Sequence, residues 1–207
     1  MASDFIDQYR ARLDLLEELK EALEAEVHEV LANVDHIDRI YFRVKEPDSF
    51  VKKATDPGND PAYEDPLAEI EDQVAGRIMV FFTRDIPIVQ ERLQGTFTLV
   101  ERRYRRPDRD EEFGYECHHL ICVIPPHLKP AGWDARDDVP DSFELQIRTL
   151  FMHAYAEPQH DIAYKGPGDL PSNVKKELAW IAASAWGADM AYVRVWDWHL
   201  NRDESET

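Results

Sequence analysis

The chain has 207 residues, 43% of them hydrophobic and 11% aromatic, which is enough apolar surface for one compact core and too much for a disordered chain. With 24 basic against 42 acidic residues the formal net charge is −18, which opposes broad contact with nucleic acid or an anionic membrane and confines any polyanionic ligand to a local basic island. No apolar run reaches the length of a membrane span, and the N-terminus lacks the basic and apolar regions of a signal peptide, so no membrane association is expected.

Phe5, Tyr9, Leu13, Leu16, Leu23, Val27 and Val30 recur at helical spacing, predicting one or two amphipathic helices over 4–33. Arg43-Val44-Lys45 reads as a short basic strand, followed by a helix with Pro47 near its first turn and Asp48 or Ser49 as cap. Three prolines and a glycine mark 55–66 as a mobile loop. A strand entered through Asp72 and Arg77 and then running apolar is expected over 73–83. A helix near 86–93, strands at 97–104, 115–124 and 142–149, and helices at 149–164 and 172–199 complete the chain. Cys117 and Cys122 share one of these strands, where alternation sends their side chains to opposite faces and would strain a disulfide, so free thiols in a reducing cytoplasm are expected. Neither their number nor the spacing of His118, His119 and His127 suits a structural zinc site.

The most telling stretch is Phe143-Glu144-Leu145-Gln146-Ile147-Arg148-Thr149. Alternation sets Phe143, Leu145 and Ile147 on one face and Glu144, Gln146 and Arg148 on the other, as in a strand lining a polar cleft. With the strand after Asp72 alongside, Asp72 and Glu144 are candidate ligands of one metal ion. A second concentration of charge lies at 102–109, where Arg102, Arg103, Arg105, Arg106 and Arg109 place five of the 24 basic residues in eight positions. They read either as a clamp for nucleotide phosphates or a polyanionic regulator, or as a strand end and loop paired with Asp108, Asp110, Glu111 and Glu112. The C-terminal helix carries Trp180, Trp186, Tyr192, Trp196 and Trp198, more aromatic surface than a solvated helix keeps, and either packs on the N-terminal helices or forms a subunit interface.

Several motifs stand in the order and approximate spacing of one family. They are Arg43-Val44-Lys45 with Ser49 and Lys53, Asp72-x-x-Ala-x-Arg77-Ile, Gly114-Tyr115 with His119, Glu144-x-Gln146-Ile-Arg148-Thr, and His160 with Tyr164-Lys165. Over residues 40–166 the chain resembles the RelA/SpoT-type alarmone synthetases, and its length resembles their small single-domain members. The resemblance implies an α/β (α+β) fold, a nucleotidyltransferase-like mixed sheet of about five strands flanked by helices. The expected layout is one structural domain, with an N-terminal helical extension over 1–40, the synthetase core over 41–166 and a C-terminal helical extension over 167–207.

It further implies Mg²⁺-dependent transfer of pyrophosphate from ATP to the ribose 3′-hydroxyl of a guanosine nucleotide, GDP or GTP. By the same resemblance Arg43, Lys45, Ser49, Lys53 and Arg77 bind ATP, although Ser49 also reads as a helix cap. Tyr115, His119, Gln146 and Arg148 face the acceptor, with a core tyrosine and a structural histidine as the plain alternatives for Tyr115 and His119. Asp72 and Glu144 hold Mg²⁺, the chemistry calling for a few carboxylates beside phosphate and water ligands. Glu144 is equally a candidate general base, and the sequence does not separate the two roles.

The chain departs from the family in the acceptor loop, where Glu111-Glu112-Phe113-Gly114-Tyr115-Glu116-Cys117 replaces a lysine- and asparagine-bearing stretch. Acids there weaken polyphosphate binding unless the arginines at 102–109 restore the charge. Three readings follow: a guanosine alarmone synthetase; a toxic small alarmone synthetase acting on another acceptor, the 3′ end of tRNA or an adenosine nucleotide, with an antitoxin as partner; and a catalytically silent nucleotide-binding module. The family includes both monomers and homo-oligomers. The segment 154–165 is expected to support Gln146 and Arg148 from a closing helix.

Overall fold

The computed structural model describes residues 2–58, 62–109, 112–114, 116–165 and 170–205, and within these the side chains of 2–5, 160, 161, 163–165 and 201–205 lie outside the description. Five strands form one mixed sheet: β1 (Ile37–Val44), β2 (Val74–Val80), β3 (Leu99–Arg105), β4 (Cys117–Val123) and β5 (Ser142–Thr149), in the spatial order β1-β2-β5-β4-β3. β2 and β5 run parallel at the centre, and the other pairs are antiparallel. These two strands are buried along nearly their whole length, β2 mostly apolar and β5 alternating apolar with polar, whereas edge strand β3 carries the Glu and Arg side chains that keep an open edge from pairing with another chain.

The helices are α1 (Ala2–Arg10), α2 (Leu13–Val30), α3 (Pro47–Ala54), α4 (Pro66–Glu69), α5 (Ile86–Thr96), α6 (Leu150–Lys165) and α7 (Ser172–Ser205). Leu16, Leu19, Leu23 and Val27 of α2 with Val89 and Leu93 of α5 cover one face of the sheet, meeting Ile78, Leu120, Phe143, Leu145 and Ile147. Phe143, Leu145 and Ile147 thus point into the core and leave Glu144, Gln146 and Arg148 on the far face, as the alternation requires.

The amphipathic N-terminal segment is two helices, and the break has a cause. Arg12, between α1 and α2, is 1% exposed, and its guanidinium donates to the carbonyls of Leu67 and Asp138 and to Gln73 Oε1. Gln73 in turn donates to the carbonyls of Leu67 and Ile70, so a buried polar knot fixes the turn just before β2. Tyr9 stacks on Phe50 of α3 with ring centroids 4.1 Å apart and donates its hydroxyl to the Lys45 carbonyl at 2.8 Å. Burial pushes the Tyr9 hydroxyl pKa well above its usual value, so it stays a donor.

Two expectations are corrected. The cap of α3 is Glu46, with Pro47 in the first turn, and neither Asp48 nor Ser49 serves there. Asp72 belongs to a one-turn 3₁₀ helix, Glu71–Gln73, and not to the strand that follows. The long C-terminal helix packs on α6, where Ala182 and Ala185 meet Met152 and Tyr155, and its Trp196 stacks on Phe82. The segment expected to be a loop over 55–66 ends in the short helix α4, capped by the Asp65 side chain on the Leu67 N–H. Both cysteines are buried free thiols, and among the described residues no helix is long and apolar enough to cross a membrane.

Candidate functional site

Strand register lays one row of side chains across the exposed face of the sheet. Tyr41, Arg77, Gln146, His119 and Arg103 are successive partners on β1, β2, β5, β4 and β3. The row is hydrogen bonded from end to centre: Arg77 donates to Tyr41 Oη at 2.8 Å and to Gln146 Oε1 at 3.3 Å, and Arg148 donates to the same Gln146 oxygen at 2.7 Å. Gln146 donates to Glu144 Oε2 at 2.8 Å, and His119 Nδ1 meets Glu144 Oε1 at 2.5 Å.

Below this row sits Asp72. Lys45 from the end of β1 reaches its Oδ2 at 2.6 Å, and Lys53 from α3 its Oδ1 at 2.9 Å. Burial works to raise the Asp72 pKa, but the two ammonium groups outweigh it and hold the carboxyl below its ordinary value. Glu144 follows the same pattern: burial raises, His119 and Gln146 lower, and the result is a depressed pKa on which the nearby Asp72 charge acts in the opposite direction. The two acids therefore share one electrostatic environment. Ala75, three residues after Asp72, is the register partner of Glu144.

Most of the residues singled out in the sequence converge here: Asp72, Glu144, Lys45, Lys53, Arg77, His119, Gln146 and Arg148. Arg43 lies on the same face, in the row of Ala75 and Glu144, and is exposed. Ser49 is half-buried in α3. Tyr115 and the side chains of His160, Tyr164 and Lys165 fall outside the described residues.

The arginine island does not act as one body. Alternation along β3 sends Arg103 and Arg105 to the site face and Arg102 to the other. Arg103 bonds Glu71, next to Asp72, and Glu101; Arg106 lies over the Tyr104 ring at 5.9 Å; Arg109 bonds Glu112. The paired reading thus holds for Arg109, while Arg103 finds two acids absent from the expected set, Glu71 and Glu101.

Sequence reasoning missed Glu157 and Tyr41. Glu157 of α6 bonds Arg77 and lies 3.8 Å from Arg148 and 3.7 Å from His153, tying the closing helix to the row. Its signal was present as an acid eight residues beyond β5, one helical face away from the arginines; Tyr41 carried no signal without the register. Among the described residues no group of three His, Cys, Asp or Glu side chains is gathered as a metal site. Asp72 and Glu144, both held ionised and near enough for the charge of one to act on the other, are oxygen donors of the kind that would hold Mg²⁺, where the ammonium groups of Lys45 and Lys53 now bond Asp72.

The His119–Glu144 pair has a measurable consequence. Burial disfavours the imidazolium, yet Cys117 and Glu144 outweigh it and bring the His119 pKa to about 9, against an ordinary 6.5. A raised folded pKa contributes stability that is complete below pH 6.5 and lost as pH rises through about 9. The depressed Glu144 pKa contributes stability above its ordinary 4.5 that is lost on acidification. Denaturant titrations should therefore show wild type losing stability between pH 6.5 and 9, a loss absent in His119→Gln. Parallel profiles for the two proteins would rule out the ion pair.

A mixed five-stranded sheet with helices on its core face, and on the other face two ionised acids among lysines and arginines in an otherwise acidic chain, defines an α/β domain built to hold phosphates. The family model described as the region found in RelA / SpoT proteins matches residues 42–169, and the chain belongs to that family. It is 38% identical over 136 residues to the GTP pyrophosphokinase YjbM of Bacillus subtilis (strain 168), a match spanning 62% of this chain and 61% of the relative's length. The crystal structure of small alarmone synthetase 1 from Bacillus subtilis superposes with a TM-score of 0.79 at 26% identity, covering 94% of this chain and 99% of that one. The same synthetase bound to its product pppGpp gives 0.74 at 27% identity, covering 91% and 96%.

Proposed function

We propose that the protein is an ATP-dependent pyrophosphokinase that transfers the β,γ-pyrophosphate of ATP to the 3′-hydroxyl of GDP or GTP, making a (p)ppGpp-type alarmone. The observation that carries this reading is the convergence of Asp72, with Lys45 and Lys53, and Glu144, with His119, beside Arg77 on one sheet face. The relationship to a GTP pyrophosphokinase and to a small alarmone synthetase that binds pppGpp supports it.

In this scheme Lys45, Lys53, Arg43 and Arg77 neutralise the triphosphate, with Ser49 as a hydrogen-bond donor, and Asp72 and Glu144 hold Mg²⁺, which when bound offsets charge on the transferred group and on departing AMP. Glu144, kept ionised, takes the proton of the acceptor hydroxyl as it attacks the β-phosphorus. Tyr115 stacks on the acceptor base, while His119, Gln146 and Arg148 orient its ribose and phosphates. Arg103 and Arg105, on the same face, extend the phosphate clamp. The core is residues 41–166 within one structural domain, the setting is cytoplasmic, in keeping with two free buried thiols, and the apolar side chains exposed on α7 suit a homo-oligomer.

The acidic acceptor loop favours a second reading in which the donor half is retained and the acceptor is an adenosine nucleotide or the 3′ end of tRNA, with an antitoxin as partner. Incubation with γ-labelled ATP, Mg²⁺ and, separately, GMP, GDP, GTP, AMP, ADP, ATP or deacylated tRNA decides between them. Label on GDP or GTP is the expected result. Label on tRNA or an adenosine nucleotide replaces it with the second reading, and no transfer with ATP still bound leaves a silent nucleotide-binding module.

A further inference from the structure

Behind the sheet, on the side away from His119 and Gln146, lies a chamber of about 230 Å³. One wall is a row of register partners on β3, β4 and β5, namely Tyr104, His118 and Ile147, with the Tyr104 and His118 rings stacked 4.5 Å apart. Trp186 and Asp189 of α7 also line it. Asp189 is only 3% exposed; Thr149 donates to its Oδ2 at 2.7 Å, and its Oδ1 is buried with no partner among the described residues. A buried carboxylate oxygen without a partner is an unmet acceptor, and Oδ2 keeps a second lone pair beside its Thr149 bond, so the carboxylate can take two adjacent donors. Burial raises the Asp189 pKa to about 6, leaving an acceptor at neutral pH.

Among the described residues no group of three His, Cys, Asp or Glu is gathered here for a cation, and the cationic Arg148 also lines the chamber, whereas a flat ring edged with N–H groups suits the aromatic walls and the Asp189 acceptor. A second hollow of about 360 Å³ shares Tyr104, Glu116 and Trp186 with the chamber and adds Arg106 and Arg109, the latter now bonded to Glu112. The floor is therefore a hydrogen-bond acceptor, and the mouth offers two guanidinium groups beside the carboxylates of Glu112 and Glu116.

We propose that this rear chamber is a second nucleotide site that takes a guanine-type base, its adjacent N–H donors on the Asp189 carboxylate and its phosphates toward Arg106 and Arg109. Guanine offers two neighbouring donors to a carboxylate, whereas adenine sets a single amine beside an acceptor nitrogen. The site borders the transfer face at Arg148, which lines the chamber too, and stands whichever acceptor that face uses.

Equilibrium dialysis of the full chain with labelled guanosine, GMP and adenosine, without ATP, tests it. Asp189→Asn keeps the size and the Thr149 contact but turns an amide N–H₂ toward the base. Wild type should bind guanosine at a site that Asp189→Asn weakens at least about tenfold, GMP should bind there more tightly than guanosine, and adenosine at least about tenfold more weakly. Trp186→Ala, a change at a half-exposed wall, should weaken the same site and keeps the test open whatever Asp189→Asn does to folding. Guanosine binding that neither variant changes, or its absence from wild type, overturns the proposal. A label-transfer result of either sign leaves this comparison intact, so the two readings fail separately.

Discussion

Asp72→Asn and Glu144→Gln should each reduce pyrophosphoryl transfer by about 10³-fold or more, the scale expected when a charge that stabilises the transferring group is removed from a preorganised site. The amide isosteres are chosen because Lys45 is buried against Asp72 and His119 against Glu144. Truncation to alanine would leave those cations unpaired and confound catalysis with folding. Thermal melts near wild type are the folding control. The two variants should differ in kind: Asp72→Asn should weaken Mn²⁺ binding in the presence of ATP, since Mn²⁺ stands in for Mg²⁺ at oxygen sites. If Glu144 is chiefly the base, Glu144→Gln should bind Mn²⁺ and ATP normally and still fail to react. Transfer within tenfold of wild type in either variant would sink the assignment of that residue.

The second large effect is on stability. Gly76 sits in β2 between Phe42 of β1 and Leu145 of β5, its register partners on both sides. A methyl group built on Gly76 would approach Phe42 Cζ to 2.5 Å and Leu145 Cδ2 to 2.7 Å, inside any tolerable contact. The glycine is there because two large core side chains converge over it, and its φ is not positive, so close approach alone explains it. Gly76→Ala should cost about 1–3 kcal/mol through overpacking, and Gly76→Val more. Chemical denaturation should also show partial recovery in Gly76→Ala combined with Phe42→Leu, which clears one of the two clashes. A Gly76→Ala protein as stable as wild type would mean that the β1–β2 packing differs from that described.

Much of the site could be read in the chain because strands transmit their pattern directly. Two-residue periodicity in 143–149 fixes which side chains face the core, and a polar triplet with two charges on the other face of a central strand has little structural use unless it meets a ligand. Lys53, which the resemblance assigns to ATP binding, is the lysine of α3 that reaches Asp72. The arginine island was less legible. Nearness along the chain counts arginines together, but alternation on β3 and the turn beyond it distribute them to Glu71, the Tyr104 ring and Glu112. Arg12 was overlooked for the opposite reason: an arginine in an amphipathic segment reads as solvated, and only the convergence of carbonyls from 67 and 138 shows it to be a buried tie.

The sequence by itself determined the central strands and which side chains of 143–149 face the core, because hydrophobic periodicity acts locally along each element, while its resemblance to a family implied the class of fold and the cations around the two acids. Only the tertiary structure decided that Tyr41, Arg77, Gln146, His119 and Arg103 form one row, that Glu157 closes it, and that a carboxylate of α7 lies behind the sheet. Those facts depend on strand order and register, which pair residues as far apart in the chain as Arg77 and Gln146. Such pairings are set by the packing of the whole core, and no local pattern encodes them.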